Sequence, residues 1–188
     1  FRNRLIFPIH NISGKVIAFG ARIISDQKNQ PKYVNSPETP LYVKSNVLYG
    51  LYQSKNNIRK LDNCILVEGY TDVISLFQIG VENVVSSSGT SLTINQIKLI
   101  SRYTKNITIL FDGDKAGLRA AFKTALMSLS LITSKNFLQF ITLEDGFDPD
   151  SFIKNYSIDE MLKILKNPIG LVNFVFNESS KTISLENA

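Results

Sequence analysis

Residues 111–117 have the sequence FDGDKAG, in which Asp112 and Asp114 follow a short apolar run. That run, ITILF at 107–111, lacks the alternation of a half-exposed strand, so it predicts a strand buried on both faces. Two carboxylates at the end of such a strand are typical of a site for Mg²⁺, which prefers exposed oxygen ligands. An ordinary strand-to-helix turn, in which Asp and Gly are common, explains the motif equally well on its own.

The order of strand, acid and helix occurs again on either side of this stretch. The apolar run CILV at 64–67 precedes Glu68, and FLQFITL at 137–143 precedes Asp148 and Asp150. With one more short strand between them, the series β-α-β-α-β-α-β predicts a parallel sheet covered by helices. The carboxyl ends of parallel strands share one edge of the sheet, so the acids are expected to converge there.

Convergence of five carboxylates is unfavourable unless cations compensate. Two carboxylates ~4 Å apart repel by about 4 kcal/mol at an effective dielectric constant near 20. One or two Mg²⁺ ions would offset this repulsion, and a pair of such ions suits phosphoryl transfer. The single cysteine, Cys64, begins a buried strand, and the single histidine, His10, precedes a turn-like sequence. Neither predicts a nucleophile or a zinc site.

Charge is distributed unevenly along the chain. Residues 1–60 carry ten Lys or Arg and two acids, whereas residues 61–150 carry seven bases and ten acids. A basic segment joined to an acidic site is expected where a polyanion is brought to metal ions, although a solvated Lys-rich surface is the plain alternative. No apolar run approaches the ~20 residues of a membrane span, and no signal-peptide pattern is present, so an intracellular compartment is expected.

The basic segment begins with two predicted strands around a turn. Gly20 in the second strand indicates a bulge or a close backbone approach, and Arg22 is aimed either at a ligand or at solvent from an edge strand. The polar, proline-containing segment that follows holds Lys32, Asn35 and Lys44 beside tyrosines. Cations next to rings favour binding of a nucleic-acid backbone, with a surface loop as the alternative.

Three acidic motifs, in their order along the chain, resemble those of the Toprim catalytic domain: EGYTD at 68–72, FDGDKAG at 111–117 and DPD at 148–150. The segments FGAR at 19–22 and PKYVNSPETP at 31–40, followed by Lys44, are similar to the RNA polymerase core of the bacterial DnaG-type primase family. The SGTS loop at 88–91 also fits. Ala21 stands where the family is expected to have a second glycine, a mild departure.

The resemblance implies an α/β fold with a Toprim-type parallel sheet covered by helices. It divides the chain into a basic, mixed α+β subdomain at 1–61, truncated at its start, the Toprim domain at 62–150, and the beginning of a helical C-terminal subdomain at 151–188. The chain is therefore expected to be a piece of a longer protein. The zinc-binding and helicase-binding domains of the family are expected to lie outside it.

The resemblance also implies template-directed synthesis of short RNA primers on single-stranded DNA during replication. The implied partners are the single-stranded DNA template, ribonucleoside triphosphates, the RNA primer and, through a region outside this chain, the replicative helicase of the primosome. The implied cofactor is Mg²⁺ in a two-metal site, with Mn²⁺ as a substitute and no zinc. The implied location is the bacterial cytoplasm, at replication forks, without a membrane.

Site residues are carried over by their positions in the matching motifs. The implied catalytic residues and principal metal ligands are Glu68, Asp112 and Asp114, with Asp148 and Asp150 completing the metal site. Glu68 is alternatively a general acid or base. Asp72 is implied to support the metal ligands without binding the metal itself. The implied nucleotide- and nucleic-acid-binding residues are Arg22, Lys32, Asn35 and Lys44.

Other functions stay open at this point. Another Toprim enzyme, a topoisomerase or a nuclease, would share the acids, although a topoisomerase needs an attacking tyrosine in a separate domain and residues 31–40 favour a primase. A phosphotransferase or phosphatase with an aspartyl nucleophile would need one Asp on the leading strand rather than acids on three strands. A non-catalytic nucleic-acid-binding module, or a piece too short to polymerise alone, is the third alternative.

Overall fold

The computed structural model describes residues 1–24, 30–88, 92–129, 137–144 and 146–186. The first part of the chain forms an antiparallel sheet in which β2 lies between β1 and β3. Its strands are β1 (Arg4–His10), β2 (Val16–Ile23) and β3 (Tyr33–Asn35). A short 3-10 helix (Lys44–Asn46) and α1 (Leu51–Leu61) follow. This is the mixed α+β part predicted from the sequence.

A second sheet has the strand order β5-β4-β6-β7-β8. Its strands are β4 (Cys64–Val67), β5 (Val84–Ser86), β6 (Asn106–Phe111), β7 (Phe137–Thr142) and β8 (Ile169–Gly170). The first four are parallel, as predicted, and β8 runs antiparallel to β7. The remaining helices are α2 (Tyr70–Gln78), α3 (Ile94–Ile100), α4 (Lys115–Leu129), α5 (Pro149–Asn155), α6 (Ile158–Leu165) and α7 (Leu171–Glu186). No helix in the described ranges is long and apolar enough to cross a membrane.

Helices cover both faces of the parallel sheet, which explains the apolar run in β6. Ile109 and Phe111 belong to a core shared with α1, α3, α4 and α7, whereas Leu110 belongs to a separate core shared with α2, α5 and α6. Successive strand residues point to opposite faces, so both kinds of position are apolar. The acidic side chains of Glu68 and Asp112 consequently follow the carboxyl ends of β4 and β6, at the carboxyl edge of the sheet.

Two short strands were not predicted from the sequence. The segment beginning at Pro168 was expected to be helical, but Ile169 and Gly170 first pair with Phe140 and Gln139 of β7, and α7 follows. In the polar segment, Tyr33–Asn35 pairs with β2 and so extends the antiparallel sheet of β1, β2 and β3, which we call the basic sheet. Strands of two and three residues are too short to show periodicity, and their pairing depends on long-range contacts.

Candidate functional site

A cavity of about 300 Å³ lies at the carboxyl edge of the parallel sheet, between that edge and strand β3. Acids from three strand ends line it together with side chains of the basic sheet. The acids are Glu68, Asp72, Asp112 and Asp148, and the lining residues from β3 and its approach are Lys32, Tyr33 and Asn35. The structure therefore brings three of the five predicted metal ligands to one cavity.

Glu68 and Asp112 follow the neighbouring strands β4 and β6. The backbone N–H of Asp112 donates to Oε1 of Glu68 over 3.3 Å. Oδ1 of Asp112 is buried and has no hydrogen-bond partner among the described residues. Burial, and then the charge of Glu68 and further nearby acids, raises the pKa of Asp112 to about 8. Burial likewise raises the pKa of Glu68, although the bond from Asp112 opposes the shift. Ionisation of both carboxyl groups is therefore unfavourable unless a cation lies beside them.

The glycines of FDGDKAG allow the end of β6 to approach the end of β7. A Cβ on Gly113 would lie 2.1 Å from the carbonyl oxygen of Glu144, and the Gly113 N–H donates to the carbonyl of Phe147 over 2.8 Å. A Cβ on Gly117 would lie 2.2 Å from the carbonyl oxygen of Asp112. The close packing brings Asp112 to the side of the sheet from which α5 begins.

Asp72 lies in the first turn of α2 and is only 4% exposed. Its Oδ2 accepts a hydrogen bond from the backbone N–H of Gly69 over 2.9 Å. Burial, with smaller contributions from Asp148, Asp150 and Glu68, raises the pKa of Asp72 to about 7. This buried position, bonded to the residue after Glu68, agrees with a supporting role, which stays a prediction.

Asp148 reaches the cavity from the N-terminus of α5. Its Oδ1 accepts a hydrogen bond from the backbone N–H of Ser151 over 2.6 Å, and its own N–H donates to Oγ of Ser151 over 3.0 Å. This reciprocal cap fixes the carboxylate at the start of the helix, where it lines the cavity together with Glu68 and Asp112.

The other two predicted ligands do not line the cavity. Oδ1 of Asp114 accepts the backbone N–H groups of Ala116 and Gly117, at 2.9 and 2.7 Å, and so caps α4. Asp150 accepts hydrogen bonds from Ser75 of α2 and, over 2.6 Å, from Lys154. Burial acts against ionisation of Asp150, but these two donors hold its pKa below the usual range.

The donor chemistry fits a divalent cation. Within the described ranges, no three Asp, Glu, His or Cys side chains are close enough to hold a metal ion as they stand. The cavity nevertheless offers carboxylates from Glu68, Asp112 and Asp148, and the unpartnered Oδ1 of Asp112 is a free ligand atom. Hard oxygen ligands of this kind suit Mg²⁺ and Mn²⁺.

Two cations form a rim beside the acidic cavity. Lys32 lines that cavity and also a second one of about 540 Å³, which it shares with Arg22 and Leu5. Arg22 pairs in register with Tyr33, and the charged groups of Arg22 and Lys32 each lie 5.9 Å from the centre of the Tyr33 ring. We call Arg22 and Lys32 the basic rim.

Lys44 lies away from both cavities. Its backbone N–H donates to Oε1 of Glu38 over 2.9 Å, and its carbonyl accepts from Nε2 of Gln96 over 3.1 Å. The structure thus ties Lys44 to α3 rather than to the acids, and its predicted nucleic-acid contact would lie on another part of the surface. Of the SGTS loop, only Ser88 lies within the described residues.

Sequence reasoning did not single out Tyr70, which joins the two sheets. Its ring is 2% exposed, and its hydroxyl donates to Oδ1 of Asn35 over 2.7 Å. Nδ2 of Asn35 in turn donates to the carbonyl of Ser88 over 3.0 Å. The only sequence signal for this contact is Gly20, where a close approach was expected and where the ring of Tyr70 lies.

Comparison with protein families divides the chain in two. Residues 1–55 match the N-terminal domain of the DNA primase catalytic core, and residues 65–153 match the Toprim-like family. The DNA primase of Legionella pneumophila is 42% identical over 187 residues, which is 100% of this chain and 32% of that protein. The chain spans about a third of the length of the curated relatives it matches.

Solved structures agree with these matches and confirm the predicted fold class. A DNA primase domain from Pseudomonas aeruginosa superposes with a TM-score of 0.88 at 38% identity, covering 95% of this chain and 55% of that one. A DnaG primase catalytic domain bound to single-stranded DNA gives a TM-score of 0.86 at 38% identity, covering 95% of this chain and 57% of the other.

Proposed function

This chain belongs to the bacterial DnaG-type primases, and from that membership we propose that it is the catalytic part of an enzyme that synthesises RNA primers. The full-length protein would copy single-stranded DNA into short RNA from ribonucleoside triphosphates. The observation that carries the proposal is the cavity that Glu68, Asp112 and Asp148 line together with Lys32. Carboxylates for a metal ion and a cation for phosphate are the two parts that nucleotidyl transfer needs.

The proposed metal ligands are Glu68, Asp112 and Asp148 from the cavity, with Asp114 and Asp150 as the further predicted members of a two-metal set. Bound Mg²⁺, or Mn²⁺ in its place, supplies positive charge that polarises a phosphoryl group and lowers the pKa of an attacking hydroxyl. The hydrogen bonds to Asp114 use Oδ1, whereas both carboxylate oxygens of Asp150 accept protein donors, so Asp114 is the more available of these two further ligands.

The basic rim would bind the triphosphate of the incoming nucleotide. In the proposed reaction, the bond from the primer 3′-oxygen to the α-phosphorus forms as the bond from that phosphorus to the bridging oxygen breaks, and pyrophosphate leaves. Arg22 and Lys32 are suited to the phosphate oxygens because neither has an ion-pair partner among the described salt bridges. Glu68, whose pKa burial raises, would either ligate metal or accept the hydroxyl proton.

The template would run along the basic sheet towards the cavity. A related catalytic domain is known in complex with single-stranded DNA, which supports this partner. Tyr33, 36% exposed between the two cations of the rim, offers a ring for a base, and Lys44 offers a backbone contact further along the surface. The replicative helicase would bind a region outside this chain, and the enzyme would act in the cytoplasm at replication forks.

The match of residues 1–55 to a primase catalytic-core family favours a primase over a topoisomerase or a nuclease. The test is incubation of the full-length protein with single-stranded DNA, the four ribonucleoside triphosphates and Mg²⁺. Short, template-dependent RNA products that disappear with EDTA are expected. Cleavage or relaxation of DNA without RNA synthesis would favour the other Toprim enzymes, and DNA binding alone would favour a non-catalytic module.

A further inference from the structure

The ring of Tyr70 is inserted from the parallel sheet into the antiparallel one. Tyr70 is the first residue of α2, but its side chain belongs to the small core of the basic sheet, with Phe7, Ile9 and Tyr42. It stacks on Phe7 with ring centres 5.0 Å apart and an interplanar angle of 8°. The two sheets are thus joined by a side chain that follows Glu68 by two residues.

Gly20 makes room for this ring. A Cβ at Gly20 would lie 2.5 Å from Cζ of Tyr70 and 2.7 Å from its hydroxyl oxygen. Gly20 pairs in register with Asn35 of β3, so the strand pair places the amide of Asn35 next to the tyrosine hydroxyl. The position of the ring, and with it the position of the hydroxyl, is therefore fixed by backbone geometry on the basic side.

The hydroxyl of Tyr70 bonds to Asn35 across the gap between the sheets, and it also has a side-chain hydrogen bond with Ser88 on its own side of that gap. It donates to Oδ1 of Asn35 over 2.7 Å, and Nδ2 of Asn35 donates to the carbonyl of Ser88 over 3.0 Å. Ser88 follows β5, so the amide of Asn35 is held by two elements of the parallel sheet at once. A weaker contact, 3.4 Å between the Tyr33 hydroxyl and Oγ1 of Thr71, accompanies it.

This chain of bonds lies between the two halves of the candidate site. Asn35 is three residues after Lys32, and Tyr70 is two residues after Glu68. The bond between Asn35 and Tyr70 therefore joins the segment that contains Lys32 to the segment that contains Glu68. We propose that Tyr70 is a positioning residue, whose bond to Asn35 sets the distance between the basic rim and the carboxylates. The proposal rests on the proposed nucleotidyl transfer, because that reaction requires the triphosphate and the metal at a fixed separation.

The consequence is kinetic rather than purely structural. If the bond is lost, the rim still binds phosphate and the acids still bind metal, but a smaller share of bound nucleotides has the reactive geometry. Misplacement of reacting groups by about 1 Å lowers turnover by up to roughly 100-fold. Asn35, which the family resemblance assigns to nucleotide or nucleic-acid binding, then acts by holding β3 in place.

The test uses four variants of the full-length protein: Tyr70→Phe, Asn35→Ala, the double variant, and Tyr103→Phe as the matched control. Tyr70→Phe keeps the ring and removes only the hydroxyl. We expect kcat for primer synthesis to fall about tenfold, with KM for the nucleotides within twofold of wild type. The double variant should be no slower than Asn35→Ala, because both changes break one chain of bonds. Tyr103→Phe, which removes a hydroxyl outside the cavity, should match wild type.

A kcat of Tyr70→Phe within twofold of wild type, or additive losses in the double variant, would overturn the proposal. A lowered melting temperature with unchanged kcat and KM would also overturn it, since that pattern marks a core tyrosine only. If the wild-type protein makes no RNA, the proposed function fails. Hydrogen exchange then tests separately whether the bond from Tyr70 to Asn35 holds β3 in place. Faster exchange of the amides in β3 in Tyr70→Phe, but not in Tyr103→Phe, supports it, and unchanged exchange overturns it.

Discussion

The backbone N–H of Asp112 donates to Oε1 of Glu68 over 3.3 Å, so two acids from neighbouring strands are held beside each other. The bond opposes the rise that burial causes in the pKa of Glu68, while Oδ1 of Asp112 is buried without a hydrogen-bond partner among the described residues. Two ionised carboxylates in this arrangement repel each other, and a cation bound between them would offset that repulsion. Four of the five predictions below depend on that repulsion or on the basic rim.

Asp112→Asn should abolish primer synthesis by the full-length protein. The change preserves size but removes the charge and one ligand atom, so kcat should fall by at least about 100-fold in Mg²⁺. Folding should be retained, as measured by circular dichroism. Asp159→Asn, on the exposed first turn of α6, makes the same chemical change as a control and should leave kcat unaltered. Near-normal incorporation by Asp112→Asn would exclude this aspartate from the metal site.

Stability without metal should decrease as the pH rises from about 4 to 8. The pKa of Asp112 is raised from its ordinary 3.8 to about 8, and that of Asp72 to about 7. In this window the folded state binds more protons than the unfolded state, so each rise in pH favours unfolding. Because Asp112 is partly exposed, solvent screening reduces the effect to the order of 1–2 kcal/mol.

Melting temperatures in EDTA at a series of pH values measure this slope, and adding Mg²⁺ at pH 8 should reverse most of the loss. Asp112→Asn should show a shallower slope and a smaller response to Mg²⁺. A flat profile in EDTA would show that Asp112 ionises as freely in the folded state as in the unfolded one. An equal response of the variant to Mg²⁺ would show that the ion binds without this carboxylate.

Lys32→Ala should weaken binding of single-stranded DNA and nucleotides, mainly at low salt. Loss of one phosphate contact should lower affinity by roughly threefold to tenfold at 50 mM salt, and the difference should shrink at high salt because the interaction is electrostatic. Fluorescence anisotropy of labelled DNA measures it. Lys166→Ala, at the exposed end of α6, is the control. Equal affinities of Lys32→Ala and wild type at low salt would make Lys32 an ordinary solvated lysine.

Gly113→Ala should destabilise the protein, whereas Gly170→Ala should not. A Cβ at Gly113 would meet the carbonyl oxygens of Glu144 and Leu143 at 2.1 and 2.6 Å, but a Cβ at Gly170 meets nothing within 4 Å. Backbone displacement at Gly113 should cost about 1–3 kcal/mol, and the control should change stability by at most about 0.5 kcal/mol. Thermal melts of the two variants should therefore differ by several degrees, and coincident curves would contradict the close packing seen here.

Much of the fold follows from local patterns in the sequence. The buried runs of β4, β6 and β7 and the helices after them were predicted. Helix ends also depend on local contacts, as at the start of α3, where Oγ1 of Thr93 accepts from the N–H of Gln96 over 3.2 Å. These features depend on residues close in sequence. The strand order β5-β4-β6-β7-β8 and the two short strands depend on contacts between distant segments, which periodicity does not encode.

The site residues also fall into those whose position the sequence predicts and those whose position depends on distant contacts. Convergence of Glu68, Asp112 and Asp148 follows from parallel strands that end at one edge. The positions of Asp114 and Asp150 outside the cavity lining do not follow from it, because they depend on which donor groups compete for each carboxylate. Asp114 caps the helix that starts at the next residue, and Asp150 meets donors from two helices. Sequence patterns place such acids at an edge without giving the direction of their side chains.

The central claim, that this acidic edge binds divalent cations, is tested most directly by crystals of the protein soaked in Mn²⁺ and measured at a wavelength sensitive to manganese. Anomalous difference peaks are expected among the carboxylates of Glu68, Asp112 and Asp148, with at least one peak within about 2.0–2.3 Å of Oδ1 of Asp112. A second peak beside Asp114 or Asp150 would extend the site to the predicted pair of metals. Fully occupied Mn²⁺ elsewhere on the chain, with none at these three acids, would contradict the account.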